Sequence, residues 1–250
     1  MCLLSFAWQP DTDTQLTLVS NRDEFHKRPS AVSNFWTEHP NLLAGKDLEA
    51  GGTWMGVTRN GRFAALTNVR QMPAPYQGSI SRGNLVKDYL TSNQSPEAFL
   101  NGIQGQHYDG FNLIVGHRTQ CWYLGNRPLN SQPQKLMPGI YGLSNAQLDT
   151  PWPKTLLAKH ALEQWLKTDQ GECLPLHTLL NSTDKFEASR LPNTGIGEPW
   201  ETLLSSPFII SPEYGTRACT SLQIHSHVIH WKEATMNEKG DETGIIEHSF

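Results

Sequence analysis

The chain has 250 residues, 37% of them hydrophobic and 18% charged, with a formal net charge of -4 at pH 7. This length and composition predict one folded domain, residues 1–250, and exclude a disordered chain. The sequence has no stripe of lysine and arginine and no apolar run of about 18 residues, so we expect neither nucleic acid as a partner nor a transmembrane segment.

The cysteines indicate the compartment. The four cysteines include no CxxC pair, which is typical of a protein in a reducing environment. The apolar run of residues 2–8 has no basic residues before it and ends at Gln9-Pro10, so it does not resemble a secretory signal. We therefore expect a cytoplasmic location.

The first predicted elements are two strands that form a hairpin. Residues 3–8 and 16–20 are rich in apolar residues and flank the turn sequence PDTDT. Residues 21–30, with the sequence NRDEFHKRPS, are charged, and we expect them to leave the second strand as a loop. A strand end of this kind is a place where polar side chains can converge on a site.

Strands and helices alternate along the rest of the chain. The Asn-Gly pair at residues 60–61 predicts a hairpin, and apolar residues at helical spacing predict a long helix over residues 152–166. Residues 183–205 contain several Pro and Gly and are predicted to form a loop or lid. Residues 234–244 are polar and are predicted to form a loose excursion before the last strand. The other predicted helices are 81–92, 96–104 and 174–181. The other predicted strands are 53–58, 62–67, 112–117, 121–124, 140–144, 207–210, 218–225, 228–231 and 245–248.

This order of elements predicts the fold class. Hairpin-joined strands that alternate with pairs of helices indicate an α+β protein with antiparallel sheets covered by helices. A four-layer αββα sandwich fits this order, although composition alone does not select it over other α+β layouts.

Cys2 is the first candidate catalytic residue. Its small side chain permits removal of Met1, and that removal would leave a thiol and an α-amine on one residue. The amine has an ordinary pKa of about 8 and could act as the general base for the thiol near neutral pH. A cysteine at this position is more often a small buried hydrophobic residue, so Cys2 alone does not decide between the two interpretations.

Further candidates stand at strand ends. Arg22 could stabilise a Cys2 thiolate and Asp23 could hold the amine, although a solvated charged turn is the simpler interpretation. Asn68 and Asn145 each follow an apolar strand and could donate hydrogen bonds to an oxyanion, although asparagine is also common in turns.

Arg217 opens a later predicted strand in the sequence YGTR. It could bind a carboxylate or phosphate through two hydrogen bonds, pair with a carboxylate such as Asp23, or be an ordinary edge-strand arginine. His225 and His227 share one face of a predicted strand, but no third ligand accompanies them, so no metal site is predicted.

Several motifs, in this order along the chain, resemble the NRDE family, also called the transport and Golgi organisation family. They are Cys2 followed by the segments SNRDEF, GGTWMG, AALTN, GFNLI, YGLSN with TPWPK, and YGTR, and they extend to about residue 225. The resemblance implies an Ntn-hydrolase-like fold that is distantly similar to bile-salt hydrolases and penicillin V acylases. Those enzymes have an N-terminal cysteine, an arginine and an aspartate after the second strand, and two oxyanion asparagines.

The resemblance also implies roles for particular residues. Cys2 matches the nucleophile, and Arg22 matches the arginine. Asn68 and Asn145 match the strand-end asparagines. The acylases have an aspartate three residues after the arginine, whereas this chain has Phe25 at that position.

The acid and the substrate-binding residues are therefore assigned to neighbouring positions. Asp23 or Glu24 would have to replace the missing aspartate, and Asp23 is counted among the catalytic residues. Asn21, Glu24 and Arg217 are predicted to bind the substrate.

Two functions follow from the resemblance and from these residues. One is a hydrolase that acts on non-peptide C–N bonds or on thioesters, in which Cys2 attacks the acyl carbonyl. The other is a carrier without catalysis that holds an amphipathic ligand in the same cleft. The expected partner is a small amphipathic molecule, namely an acyl amide, an acyl-CoA or haem. No cofactor is expected to be required, since haem would be a transported ligand.

Overall fold

A computed structural model describes residues 2–168 and 175–250 of the chain. Within those residues the strands are β1 Cys2–Trp8, β2 Thr14–Phe25, β3 Ser30–Trp36, β4 His39–Asp47, β5 Met55–Thr58, β6 Phe63–Asn68, β7 Phe111–His117, β8 Gln120–Gly125, β9 Gln134–Lys135, β10 Gly139–Leu143, β11 Tyr214–His225, β12 Ile229–Met236 and β13 Glu242–Ser249. The α-helices are α1 Gly83–Thr91, α2 Pro96–Asn101, α3 Pro153–Lys167 and α4 Glu198–Leu203, and 3₁₀ turns cover Gly105–His107, Leu176–Thr178 and Ala188–Arg190. None of the helices in the described ranges is long and apolar enough to cross a membrane.

The strands form two antiparallel sheets. The first sheet has the order β10-β1-β2-β11-β12-β13, and the second sheet has the order β3-β4-β5-β6-β7-β8-β9. The second sheet follows the order of the chain, whereas the first sheet combines strands from both ends of it. As a result β2, which carries the sequence NRDE, has β1 on one side and β11 on the other.

Successive side chains of a strand contribute to different layers of the core. Phe6 and Trp8 of β1 point between the two sheets, where the Trp8 ring lies 6.0 Å from the ring of Phe63 in the second sheet. Leu3 and Ala7 of the same strand point to the outer face, because successive residues of a strand face opposite sides.

Helices cover both outer faces of the pair of sheets. Ala158, Leu162 and Trp165 of α3 pack on the outer face of the first sheet. Leu85 and Tyr89 of α1 pack on the outer face of the second sheet. The layers are therefore αββα, and both the α+β prediction and the four-layer arrangement are confirmed.

The charged sequence after residue 20 does not leave the sheet. β2 continues to Phe25 and keeps Asn21, Arg22 and Asp23 buried between the neighbouring strands. The prediction of a loop over residues 21–30 is therefore wrong for its first half. These side chains can be buried because each one contacts a polar or aromatic partner inside the protein.

Other boundaries also differ from the predictions. β3 and β4 were not predicted, and α4 lies inside the segment predicted to be a loop or lid. Residues 207–210 are not a strand. Phe208 N donates to Ser182 O, and Ile209 N donates to the Thr216 hydroxyl, so their backbone bonds do not form a ladder.

Two predicted segments are shorter in the structure. The polar excursion over residues 234–244 is reduced to the turn between β12 and β13. The predicted helix 174–181 begins at a residue outside the described ranges, and its described part contains only the 3₁₀ turn Leu176–Thr178.

Candidate active site

Cys2 lies at the start of β1, opposite Arg22 of β2 in the antiparallel register. Its neighbour Leu3 faces the outer layer, so the Cys2 thiol points between the two sheets. Cys2 is 7% exposed and borders a cavity of about 140 Å³, called the polar cavity below. The residues that line it are Cys2, Arg22, Asp23, Glu24, Arg28, Asp47, Gly52, Thr53, Trp54, Leu66, Asn68, Ser81, Arg82 and Gly83.

Arg22 is held beside Cys2 by an aromatic ring. The guanidinium carbon of Arg22 lies 4.2 Å from the ring centroid of Trp54, and the arginine is buried. Burial raises the pKa of the Cys2 thiol above its usual value, and the charge of Arg22 opposes that rise. The thiol is therefore protonated near neutral pH, and it needs a base within reach in order to react.

Two glycines shape the rim of the polar cavity. Gly51 has a φ of 73°, a conformation that favours glycine. At Gly52 an added Cβ would lie 2.5 Å from the carbonyl carbon of Gly83, so the two backbones can approach only without a side chain. Thr53 N donates a 3.2 Å hydrogen bond to Gly83 O across this contact. The contact brings the start of α1, with Arg82, to the cavity.

The Asp23 side chain lies on the face of β2 opposite to the face that carries Arg22. Its Oδ1 accepts a 2.7 Å hydrogen bond from the Thr216 hydroxyl, and its backbone carbonyl accepts a 3.0 Å bond from the Tyr214 hydroxyl. Burial raises the pKa of the Asp23 carboxyl, and the ammonium of Lys154 opposes that rise. Asp23 therefore faces the outer helical layer from the end of β2 that lies beside Cys2.

Lys154 is a buried cation of the outer layer that the sequence analysis did not identify. It lies in the first turn of α3 on the same helical face as Ala158 and Leu162, and it is buried. Burial lowers the pKa of Lys154 to about 8, and attraction to Asp23 opposes that fall. A lysine on the apolar face of a helix is the signal in the sequence, together with its place in the TPWPK motif.

The two candidate oxyanion asparagines are in contact with each other. Asn145 is buried, and its Nδ2 donates a 2.9 Å hydrogen bond to the backbone carbonyl of Asn68. The backbone N–H of Arg70 donates a 2.7 Å bond to Asn145 O. Asn68 itself borders the polar cavity. Asn145 therefore lies behind Asn68 and fixes its backbone, and the oxyanion role of both residues stays a prediction.

The two predicted substrate-binding residues of β2 occupy different environments. Asn21 faces the outer layer, where its Nδ2 donates to the backbone carbonyls of Leu180 at 2.8 Å and Pro207 at 3.0 Å. Glu24 borders the polar cavity, and its Oε1 accepts a 2.9 Å bond from the N–H of Phe25. Asn21 therefore braces the outer layer, and Glu24 is accessible from the cavity.

Arg217 braces the backbone beside the site. It is the extra residue of an irregularity in the ladder, where Thr216 pairs normally and Ala218 is shifted by one position. Its Nη1 donates to the backbone carbonyls of Phe25, at 3.3 Å, and of Arg28. These bonds hold the turn after β2 against β11.

A larger cavity adjoins the polar one. It has a volume of about 710 Å³ and is called the apolar cavity below, and it shares Asn68 and Arg82 with the polar cavity. Its other lining residues are Phe25, Val69, Arg70, Gln71, Met72, Ala74, Pro75, Asp109, Gly110, Arg127, Gly195, Ile196, Trp200 and Leu204. Arg82 was not identified from the sequence. Its Nη1 donates a 3.0 Å bond to Gly110 O, and burial lowers its pKa.

One wall of the apolar cavity is fixed by a buried ion pair. Arg70 Nη2 lies 2.9 Å from Glu201 Oε2 of α4, and the guanidinium stands over the ring of Trp152 at 4.8 Å. Glu201 Oε1 accepts two 2.6 Å bonds from the N–H and the hydroxyl of Thr194. The segment predicted to be a loop or lid is thus attached to the core beside this cavity.

The histidine pair considered from the sequence lies away from these cavities. The ring Nδ1 of His225 is 2.9 Å from the Thr14 hydroxyl, at the far end of β2 from Arg22. Among the residues that the structure describes, no group of three or more His, Cys, Asp or Glu side chains is arranged to hold a metal ion.

Two solved structures are similar to this chain at low sequence identity. One is the mutant C2A conjugated bile acid hydrolase from Clostridium perfringens, with a TM-score of 0.48 and 9% identity, covering 100% of this chain and 97% of that one. The other is the Caenorhabditis elegans ortholog of N-acylethanolamine-hydrolyzing acid amidase, with a TM-score of 0.46 and 11% identity, covering 73% of this chain and 86% of that one.

Sequence relatives match over nearly the whole chain. The Homo sapiens Transport and Golgi organization protein 2 homolog is 34% identical over 265 residues, covering 95% of this chain and 94% of the human protein. The Drosophila melanogaster Transport and Golgi organization protein 2 is 28% identical over 285 residues, covering 99% of this chain and 94% of its own. The sequence profile of the family described as Transport and Golgi organisation 2 matches residues 1–238. The chain therefore belongs to the Transport and Golgi organisation 2 family.

Proposed function

We propose that this protein is a hydrolase whose nucleophile is an N-terminal Cys2 and whose substrate is an amide or thioester of an amphipathic acyl compound. One observation carries the proposal. The Cys2 thiol borders a polar cavity that shares Asn68 and Arg82 with a large apolar cavity. This arrangement suits a substrate whose acyl carbonyl lies beside the thiol and whose apolar chain occupies the apolar cavity.

The proposed reaction begins with a proton transfer within one residue. After removal of Met1, the α-amine of Cys2 takes the thiol proton, and this step is needed because burial raises the pKa of the thiol. The sulfur then attacks the carbonyl carbon, and a C–S bond forms. Donors at Asn68 hold the resulting oxyanion.

The second half of the reaction releases both products. The tetrahedral intermediate expels the amine or thiol, which takes the proton from the α-ammonium, and an acyl group remains on Cys2. Water then gives up a proton to the same amine and attacks the acyl carbonyl. The C–S bond breaks, the thiol is restored, and a carboxylic acid leaves.

The walls of the two cavities support a substrate with an apolar and an anionic part. Ile196, Trp200 and Leu204 offer apolar surface for an acyl chain. Arg82 lines both cavities, so an anionic group would be attracted to the point where they meet.

The test compares Cys2→Ala with the wild type on medium-chain acyl-CoA and N-acyl amides, after intact-mass analysis for Met1. We expect turnover by the wild type, a fall of about 100-fold or more in Cys2→Ala, and an acyl adduct mapped to Cys2. Cys121→Ala removes another buried thiol, which lies in the core between the sheets, and serves as the control. Equal turnover by Cys2→Ala and the wild type would exclude Cys2 as the nucleophile.

A second candidate function is a carrier that binds without turnover. The observation that favours it is the pair of arginines, Arg82 and Arg127, that line an apolar cavity of about 710 Å³, which suits an amphipathic anion. Acyl-CoA or haem would then raise the melting temperature, and haem would shift its Soret band, in both the wild type and Cys2→Ala. Arg82→Met would weaken that binding. Ligand binding without an acyl adduct would favour the carrier over the hydrolase.

A further inference from the structure

Arg22 is a buried cation without an anionic partner. The residue is 5% exposed and borders the polar cavity. The ring of Trp54 lies against its guanidinium, with 4.2 Å between the guanidinium carbon and the ring centroid. Within residues 2–168 and 175–250, the guanidinium makes no hydrogen bond and no ion pair. Guanidinium N–H groups that are buried without acceptors cost free energy, so this position indicates an acceptor on a ligand.

Other charged side chains around the polar cavity are already engaged. Arg28 Nε lies 2.8 Å from Asp47 Oδ2, so these two charges offset each other. The Asp23 carboxyl lies on the outer face of β2, where its Oδ1 accepts the 2.7 Å hydrogen bond from Thr216. None of these groups supplies the acceptor that Arg22 lacks.

Two cations and one carboxylate of the cavity wall remain. Arg82 Nη1 donates a 3.0 Å hydrogen bond to Gly110 O, and no carboxylate in the described part of the chain pairs with Arg82. Glu24 lies on the same face of β2 as Arg22, and its Oε1 accepts the 2.9 Å bond from the N–H of Phe25. The wall therefore carries more positive than negative charge, which favours an anion.

The start of α1 adds a further positive element to this wall. α1 has nine residues, and its first residue, Gly83, borders the polar cavity. In this described helix no side chain caps the N-terminus at Arg82, and no acidic residue stands in the first turn. The positive end of the helix dipole therefore lies at the cavity without a negative side chain to offset it.

We infer that the polar cavity binds an oxyanion group of the ligand, a carboxylate or a phosphate, on Arg22, Arg82 and the first turn of α1. This binding needs no turnover. One consequence rests on the proposed function: with the acyl chain in the apolar cavity, the anionic group belongs to the leaving amine or thiol. The substrate class is then an amide or thioester whose leaving group carries a carboxylate or a phosphate.

The first experiment titrates the wild type, Arg22→Met and Arg59→Met with acetate and with phosphate at fixed ionic strength, and follows the melting temperature. We expect at least one anion to raise the melting temperature of the wild type. Arg22→Met should weaken that binding by about tenfold or more, because charge-assisted hydrogen bonds are lost. Arg59→Met is the matched control, since Arg59 also stacks on a ring, that of Phe35 at 3.8 Å, but borders neither cavity.

The two anions distinguish the possible ligand groups. A larger rise with acetate supports a carboxylate, and a larger rise with phosphate supports a phosphate. A wild type that responds to neither anion, or an equal response in all three proteins, would overturn the inference.

Two further arginine variants locate the bound anion. Arg82 lines both cavities, whereas Arg127 lines the apolar cavity and not the polar one. Arg82→Met should therefore weaken anion binding, and Arg127→Met should bind like the wild type. If Arg127→Met loses as much affinity as Arg82→Met, the anion lies in the apolar cavity and the inference is wrong.

Glu24→Gln keeps both arginines and decides the matter if Arg22→Met does not fold. It removes the carboxylate on the face of Arg22, so the anion should bind about twofold to fivefold more tightly. Unchanged or weaker binding in Glu24→Gln would then contradict the inference. A wild type that binds the anion without turnover contradicts the proposed function alone, whereas turnover without anion binding contradicts the inference alone.

Discussion

Glu201→Met tests the ion pair that attaches α4 to the wall of the apolar cavity. The side chains of Arg70 and Glu201 are only 4% and 7% exposed, and their closest atoms are 2.9 Å apart. Glu201 also accepts both donors of Thr194. The substitution therefore leaves the buried Arg70 cation and two half-buried donors of Thr194 without the carboxylate that they share.

The expected loss is large for one side chain. Removing one partner of a buried ion pair costs about 3–5 kcal/mol, because the other charge stays buried without compensation. A domain of this size is stable by about 5–15 kcal/mol, so the variant should lose a substantial part of its free energy of unfolding. Arg70→Met/Glu201→Met removes both charges, and we expect it to be more stable than Glu201→Met.

Urea unfolding of the three proteins measures these losses, with the midpoint expected to fall at an unchanged slope. Glu163→Gln is the matched control, because the Glu163–Lys167 pair has a similar distance of 2.8 Å but exposures of 47% and 61%. That control should lose about 0.5 kcal/mol or less. The reasoning is refuted if Glu201→Met loses as little as the control, or if the double variant is less stable than Glu201→Met.

Two other substitutions test a close backbone contact and a buried carboxyl group. Gly52→Ala would bring a Cβ to 2.5 Å from Gly83 and should cost about 1–3 kcal/mol in thermal unfolding, whereas Gly244→Ala meets nothing within 4 Å and should melt like the wild type. Equal melting temperatures for the two variants would contradict this contact. Glu233 of β12 is buried and accepts hydrogen bonds from the N–H and the hydroxyl of Ser33. Burial raises the pKa of its carboxyl above 4.5, so the stability linked to Glu233 falls as pH rises above that value. Glu233→Gln should remove this pH-dependent loss of the free energy of unfolding, measured in urea. An unchanged pH dependence would contradict the raised pKa of Glu233.

The elements with local signals could be predicted from the sequence. The Asn-Gly pair at residues 60–61 gave the turn between β5 and β6, and helical spacing gave α3 within a few residues. These signals work because the turn and the helical face each depend on neighbouring residues. The order of those elements fitted the αββα layering without selecting it over other α+β layouts.

The polar core of the site could not be predicted in the same way. Asp23 bonds to Thr216, which is 193 residues away, and Arg70 bonds to Glu201, which is 131 residues away. Without a known partner, a charged residue is predicted to be exposed. The second strand was therefore predicted to end before Asn21. The same reason hid Lys154, whose local signals are its place on an apolar helical face and in the TPWPK motif.

The extension of β2 directs two adjacent residues of opposite charge to different faces of the first sheet. Alternation along the strand directs Arg22 inward, against Trp54 and beside the Cys2 thiol. The same alternation directs Asp23 outward, toward Thr216 and the layer of Lys154. Had residues 21–25 formed a loop, the two side chains could have paired and left the site neutral. The strand keeps the cation on the side of the thiol and the carboxylate on the side of the outer helix.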